Sequence, residues 1–108
     1  MLPRCAELEL GVLAREPLAN GFLSGKYRLA EAISDPRDWR SKLGEAEVLR
    51  RLEVVAKVEE ELPPGVPMAQ WAIAWCLRHS AVAAVVAGAK TVDQLVANAG
   101  AAEIALPN

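Results

Sequence analysis

The chain has 108 residues, 53% hydrophobic and 24% charged, with 12 basic against 14 acidic side chains and a net charge of −2. That length allows one compact domain at most, and the near-balance of charge gives no electrostatic basis for binding nucleic acid or an anionic membrane. The apolar runs are too short for a transmembrane helix, and the N-terminus lacks the apolar core of a signal peptide.

In chain order, Met1–Leu8 is short and mixed, with Cys5 and Leu8 at i,i+3 as in the last turn of a helix. Cys5 and Cys76 stand far apart without metal-ligand spacing. They read as reduced, buried thiols of a cytoplasmic protein, with no disulfide and no metal site. Leu10–Ala14 is apolar at every position, the pattern of a parallel strand buried on both faces, and Gly11 inside it marks close approach of a ligand or backbone. Pro17 ends the run because it has no N–H to donate. Asn20-Gly21 and Ser24-Gly25 are turn signals. They set a glycine-punctuated loop at the C-terminal end of a strand, where ligands bind in parallel α/β folds. On these residues alone a tight connection without a ligand is the simpler reading.

Arg28–Leu43 mixes turn residues, charge and Trp39. It is either a functional loop or a flexible surface segment with Arg40 solvated. Glu45–Leu62 is an amphipathic helix with Val48, Leu49, Leu52, Val55, Ala56 and Leu62 on one stripe. Glu47 with Arg51 and Glu53 with Lys57 are i,i+4 pairs in the favourable order. Glu59, Glu60 and Glu61 read as a solvated face, and Pro63-Pro64-Gly65 stops the helix. Pro67–His79 is a second helix with Pro67 near its first position. Met68, Trp71, Ala72, Trp75 and Cys76 fall on one face, and Ile73 and Leu77 are apolar too. Little of this helix can face water, and the tryptophans read as core anchors. His79 reads as a C-terminal capping residue.

Val82–Ala87 is wholly apolar and rich in β-branched residues, again suited to a strand buried on both faces. Gly88 ends it. Thr91-Val92-Asp93-Gln94 matches a capping box, in which Thr91 accepts from the Gln94 amide and Gln94 reaches back. Asp93 lies in the first turn, where the helix dipole favours it, and Val92, Leu95, Val96 and Ala99 follow at helical spacing. Free amides and the positive dipole end beside Lys90 suit a phosphate, although a solvated lysine on an ordinary loop fits the same residues. Gly100 suits a helix end, and Ile104–Pro107 is a short apolar tail. The order is β-α-α-β-α, with a right-handed crossover between the strands.

Three stretches in order carry a resemblance. Gly11–Gly21, with Pro17-Leu18-Ala19-Asn20-Gly21, is similar to the seventh strand and Pro-Leu-x-x-Gly loop of aldo-keto reductases, and Phe22–Tyr27 to the continuation of that loop. Ala69–Leu77 resembles the helix before their last strand. Gly88-Ala89-Lys90 and Gln94-Leu95-Val96-Ala97-Asn98 look like their closing turn and Gln-Leu-x-x-Asn helix. The resemblance implies an α/β fold, a partial (β/α)8 TIM barrel amounting to about a quarter of the whole, with residues 1–108 an incomplete domain at its C-terminal end. It implies NADPH-dependent reduction of a small carbonyl substrate in the complete protein, an oxidoreductase whose catalytic tetrad lies outside this chain. No residue here is then catalytic, since Tyr27, the one tyrosine, belongs to the wrong loop.

The NADP(H)-binding residues implied are Pro17, Leu18, Asn20, Gly21, Lys26, Arg40, Gly88, Lys90, Gln94 and Asn98. Asp38-Trp39-Arg40 matches an Asp-x-Arg sequence that folds over the cofactor in the family. Two positions depart from the pattern. Ala97 stands where many members have a Glu that contacts adenine, and Glu16 stands where they often have Ser. Two parallel strands with open edges and apolar faces are unfinished, which implies a missing barrel half or self-association. Two other readings are a non-catalytic nucleotide- or partner-binding module, as the family's potassium-channel auxiliary subunits illustrate, and a truncated gene product without activity. The second draws on the resemblance too, because Met1 would fall inside a family helix, as with an internal start or a cut reading frame.

Overall fold

Residues 1–27 and 35–106 are described by the computed structural model. Residues 28–34 of the expected irregular loop and the end of the apolar tail, from Pro107, lie outside the described residues. The elements are α1 (Leu2–Glu7), β1 (Val12–Arg15), α2 (Glu45–Glu61), α3 (Met68–Leu77), β2 (Val82–Val86) and α4 (Val92–Gly100). Single 3-10 turns cover Phe22–Ser24, Trp39–Lys42 and Ala101–Glu103. The order after α1 is the expected β-α-α-β-α.

The strands pair in parallel, with Val12 opposite Val82, Leu13 opposite Ala84, Ala14 opposite Val85 and Arg15 opposite Val86. An irregularity between Val12 and Leu13 shifts the register. β1 starts two residues later than its apolar run suggests and takes in Arg15, because Leu10 and Gly11 precede the ladder. Neither strand is buried on both faces. Val12, Ala14, Val82 and Val85 are half-buried, whereas Leu13 is 67% and Val86 58% exposed. The packed neighbour of the sheet is α3, which contacts β2, so the opposite face stays bare.

The main core lies off the sheet. Phe22, on the turn after β1, is 2% exposed and is buried with Val48 and Val55 of α2 and Met68 of α3. Leu23, Tyr27, Leu43, Leu52, Val58 and Leu62 pack around this group. The guanidinium of Arg51 sits over the Phe22 ring, 5.2 Å from its centroid, a cation–π contact. The α2 stripe is narrower than its periodicity implies, since Leu49 and Ala56 are exposed. α2 packs mainly on the Phe22–Ser24 turn, and one short turn cannot cover a wide stripe. Glu47 pairs with both Arg50 and Arg51, the latter at 2.7 Å. Glu53 and Lys57 form no ion pair among the described residues, contrary to their spacing.

α3 begins after Pro67, which is its N-cap. Its buried side chains are Met68, Ala72, Ile73 and Ala74. Trp75 is 52% exposed and Trp71 half-buried, so the tryptophans are not the core anchors expected. The small residues let α3 approach β2 and the Ala101–Glu103 turn closely, and the bulky indole of Trp75 is left outside. Both cysteines are free and half-buried, less enclosed than expected. Burial pushes the Cys76 thiol up from its ordinary range. His79 does not cap α3. Its Nδ1 accepts the Ala81 N–H at 3.1 Å and shapes the turn into β2.

Candidate functional site

The loop after β1 is tightly wound. Glu16, Ala19 and Asn20 have φ of 54°, 50° and 59°, and Gly21 has φ 90°. Left-handed backbone costs a non-glycine residue about 1–2 kcal/mol, so this run is held by its surroundings. Successive turns hold it from within: Ala19 N–H donates to Glu16 O at 3.0 Å, Gly21 N–H to Leu18 O at 3.0 Å and Leu23 N–H to Leu18 O at 2.9 Å. The Ser24 hydroxyl donates to Gly21 O at 2.6 Å.

Arg40 holds the loop from outside. Its Nε donates to the Asn20 carbonyl at 2.7 Å and its Nη1 to Asp38 Oδ1 at 2.9 Å. The guanidinium lies 5.2 Å from the ring centroids of both Tyr27 and Trp39. Asp38 caps the Trp39–Lys42 turn by accepting the Arg40 N–H at 2.9 Å. That amide bond, with the guanidinium beside it, holds the Asp38 carboxyl below the usual carboxylate range. The Arg40 side chain is 19% exposed, so the solvated reading of this segment is set aside: Trp39–Lys42 is tied back onto the Pro17–Gly21 loop.

The second wall is the turn after β2. Thr91 Oγ1 accepts the Gln94 N–H at 3.1 Å, as the capping box requires. Gln94 Oε1 accepts from Lys90 N–H at 2.7 Å rather than from Thr91, so the box closes one residue earlier than the pattern implies. Asn98, one turn further along α4, donates from Nδ2 to Gly88 O at 3.2 Å. Gln94 and Asn98 thereby fix both ends of Gly88–Lys90. Gln70 donates to Ala97 O at 2.7 Å and ties α4 to α3. Val92 and Asp93, the first two residues of α4, have amides that the helix itself cannot satisfy.

These two walls border one solvent-open cavity of about 550 Å³, within the ~300–1,000 Å³ typical of small-molecule and cofactor sites. Pro17, Leu18, Asn20, Gly21, Lys26, Arg40, Gly88, Lys90, Gln94 and Asn98 all line it, so every cofactor-binding candidate meets at one place. Glu16, Ser24, Tyr27, Ala69, Ala89 and Ala97 complete the lining. Ser24 and Tyr27 belong to a turn signal and a loop motif that the sequence offers, but nothing in their spacing aims them inward. Ala69 arrives from α3, which local pattern cannot relate to either loop.

The charge in the cavity is uneven. Arg40 is countered by Asp38, and Glu16 by Arg15 at 3.0 Å. Lys26 and Lys90 form no ion pair among the described residues and stand on opposite walls. Two ammonium groups and a helix N-terminus around one cavity suit an anionic ligand with more than one charge. Among the described residues no cluster of His, Cys, Asp and Glu could hold a metal ion, and no helix is long and apolar enough to cross a membrane.

Two curated relatives, both named probable voltage-gated potassium channel subunit beta, come from Oryza sativa subsp. japonica and from Arabidopsis thaliana. Each is 32% identical over 110 residues, covering 95% of this chain and 33% of the relative. The chain therefore spans about a third of the length of the curated relatives it matches. The sequence profile of the Aldo/keto reductase family matches residues 1–108, from one end of the chain to the other. By that match, the chain belongs to the aldo/keto reductase family.

Proposed function

We propose that this chain is the C-terminal, cofactor-side segment of an NADPH-dependent aldo-keto reductase barrel, about a quarter of the complete (β/α)8 fold, acting in the cytoplasm. The observation that carries this reading is the convergence of the Pro17–Gly21 and Gly88–Lys90 loops on one cavity, with Lys26 and Lys90 in no ion pair among the described residues. Lys90 and the first amides of α4 would hold the 2′-phosphate, and Lys26 the pyrophosphate. Arg40 keeps the Asn20 carbonyl fixed and so shapes the wall between them. Gln94 and Asn98 position the Gly88–Lys90 backbone. When bound, NADPH supplies the hydride for reduction of a small carbonyl compound. This chain contributes binding and orientation, and the proton donor comes from elsewhere in the barrel.

The test is a titration with NADPH and NADH, followed by tryptophan fluorescence, on this segment joined to the remaining strands of a family barrel. Tighter binding of NADPH by about tenfold or more, one decade being about 1.4 kcal/mol, supports the reading. Equal binding of both, or of neither, refutes it. A second reading is that the segment belongs to a non-catalytic subunit that senses the nucleotide or docks on another protein. The names of the two curated relatives favour it. NADPH binding without turnover on any aldehyde or ketone would select it over the first.

A further inference from the structure

Arg15 ends β1 and Glu16 follows it. The two pair through Arg15 Nη2 and Glu16 Oε1 at 3.0 Å, with side chains 81% and 54% exposed. An exposed pair of this kind contributes little to stability. Yet Glu16 holds a left-handed backbone, φ 54°, which a residue with a side chain adopts only against strain. Strain borne by a pair that stabilises little points to a use for its charges.

Placement says where that use lies. Side chains alternate along a strand, and in β1 Leu13 and Arg15 are exposed while Val12 and Ala14 are half-buried. α3 packs on the sheet through β2, so Arg15 belongs to the face without a helix. In the (β/α)8 barrel proposed above, the helices ring the outside and that face turns to the lumen. Arg15 also stands at the C-terminal end of its strand, the end where such barrels assemble their reacting groups. Glu16 lines the cavity and is the one acid among its described lining residues, whereas Arg15 is not among them. The pair thus joins the cavity to the lumen side of the strand end. The phosphates have cations of their own in Lys26 and Lys90, and Arg15 countered by Glu16 adds no net charge for them. The part of the cofactor left for the strand end is the one whose charge changes: the ring is neutral in NADPH and cationic in NADP+, after it has given up a hydride.

We propose that the Arg15–Glu16 pair sets how strongly the site prefers the reduced cofactor to the oxidised one. The Arg15 guanidinium disfavours the positive ring, and Glu16 limits that effect. A like charge nearby raises the free energy of a cation and an opposite charge lowers it. This inference rests on the cofactor reading and deepens it, with two residues that neither hold a phosphate nor donate the proton. Both forms of the cofactor carry the same phosphates, so the contributions of Lys26 and Lys90 cancel in the ratio of their affinities. That ratio reads the ring charge.

The experiment titrates NADPH and NADP+, followed by tryptophan fluorescence, on this segment joined to the remaining strands of a family barrel. Arg15→Gln should shift the ratio of dissociation constants toward NADP+ by about three- to tenfold, and Glu16→Gln toward NADPH by a similar factor. Arg15→Lys keeps the charge, and the double variant Arg15→Gln with Glu16→Gln removes both charges, so each should stay within about twofold of the parent. Added salt should shrink the single-variant shifts. Should Arg15→Gln fail to fold, Glu16→Gln reads the same effect with the opposite sign. A ratio that the single charge removals leave unchanged, or that Arg15→Lys moves as far as Arg15→Gln, would overturn the proposal and leave the cofactor reading standing. Binding of neither nucleotide by the parent refutes the cofactor reading, and this assignment falls with it.

Discussion

Gly21 and Arg40 occupy one space: a Cβ placed on Gly21 would lie 2.5 Å from Arg40 Nη2. The glycine at φ 90° is thus required twice, by its own backbone and by the side chain that crosses it. Gly21→Ala should cost about 1–3 kcal/mol through left-handed strain and, in addition, push the guanidinium off the Asn20 carbonyl. In an Arg40→Ala background the second part disappears, so the double variant should be more stable than the sum of the two losses implies. Urea unfolding of the four proteins checks this. Strict additivity would show that Arg40 yields to the new methyl group freely.

Acid should release the Trp39–Lys42 segment. The Asp38 carboxyl is held low by the Arg40 amide and then by the guanidinium, so its pKa is lower folded than unfolded. Such a group favours the fold above its unfolded value of about 3.9 and loses that contribution as pH falls through its folded value. Asp35, bonded by the Arg37 side chain, and Glu47, bonded first by Arg51, act in the same direction. Asp38→Asn should therefore flatten part of the acid limb of stability between about pH 2 and pH 5, leaving the shares of Asp35 and Glu47. Tryptophan emission measured against pH reports it, and an unchanged acid limb would contradict it.

Lys90 and Gln94 should separate by cofactor. A charge-assisted contact from Lys90 is worth about 1.5–3 kcal/mol, or roughly one to two decades of affinity. NADH has no 2′-phosphate, so Lys90→Ala should weaken NADPH far more than NADH. Gln94→Ala removes the acceptor of the Lys90 N–H, loosens the whole turn and should weaken both alike. Titration of both nucleotides with each variant is the measurement. Equal losses in Lys90→Ala would assign the lysine to the loop rather than to the phosphate.

The chain of 108 residues should show no carbonyl reductase turnover alone. Tyr27 lines the cavity, but its ring packs on Phe22 with centroids 5.8 Å apart and lies under the Arg40 guanidinium. A buttressed ring of this kind serves packing, and general acid catalysis needs a donor within reach of the substrate oxygen. NADPH consumption with a panel of aldehydes at rates typical of a complete reductase would defeat this expectation.

What could be read from the residues, and what could not, divides by range. The Thr91 cap, the glycine turn before it and the second strand are local patterns that appear where their residues stand, while β1 is displaced to Val12–Arg15 and Gln94 reaches back to Lys90 rather than to Thr91. The bond from Arg40 to the Asn20 carbonyl crosses an irregular loop with no periodicity to guide it. Trp75 shows the second limit. Spacing marks it as apolar, but exposure depends on whether a neighbour arrives, and around a two-stranded sheet few do. Leu13, Val86 and the α4 valines follow the same rule: the pattern says which faces want cover and cannot say what provides it.

The placement of the core off the sheet also fixes which parts of the backbone open first. In most parallel α/β proteins the strands sit deepest and their amides exchange with solvent last. Here the large enclosed side chains are Phe22 on its turn, Val48 and Val55 of α2, and Met68 and Ile73 of α3. Deuterium should therefore enter the Leu13 and Val86 amides early and the middle of α3 late, an inversion of the usual order. The turn at Gly88–Lys90 follows β2 and would breathe with it, so the cavity wall inherits its rigidity from whatever pairs with that strand.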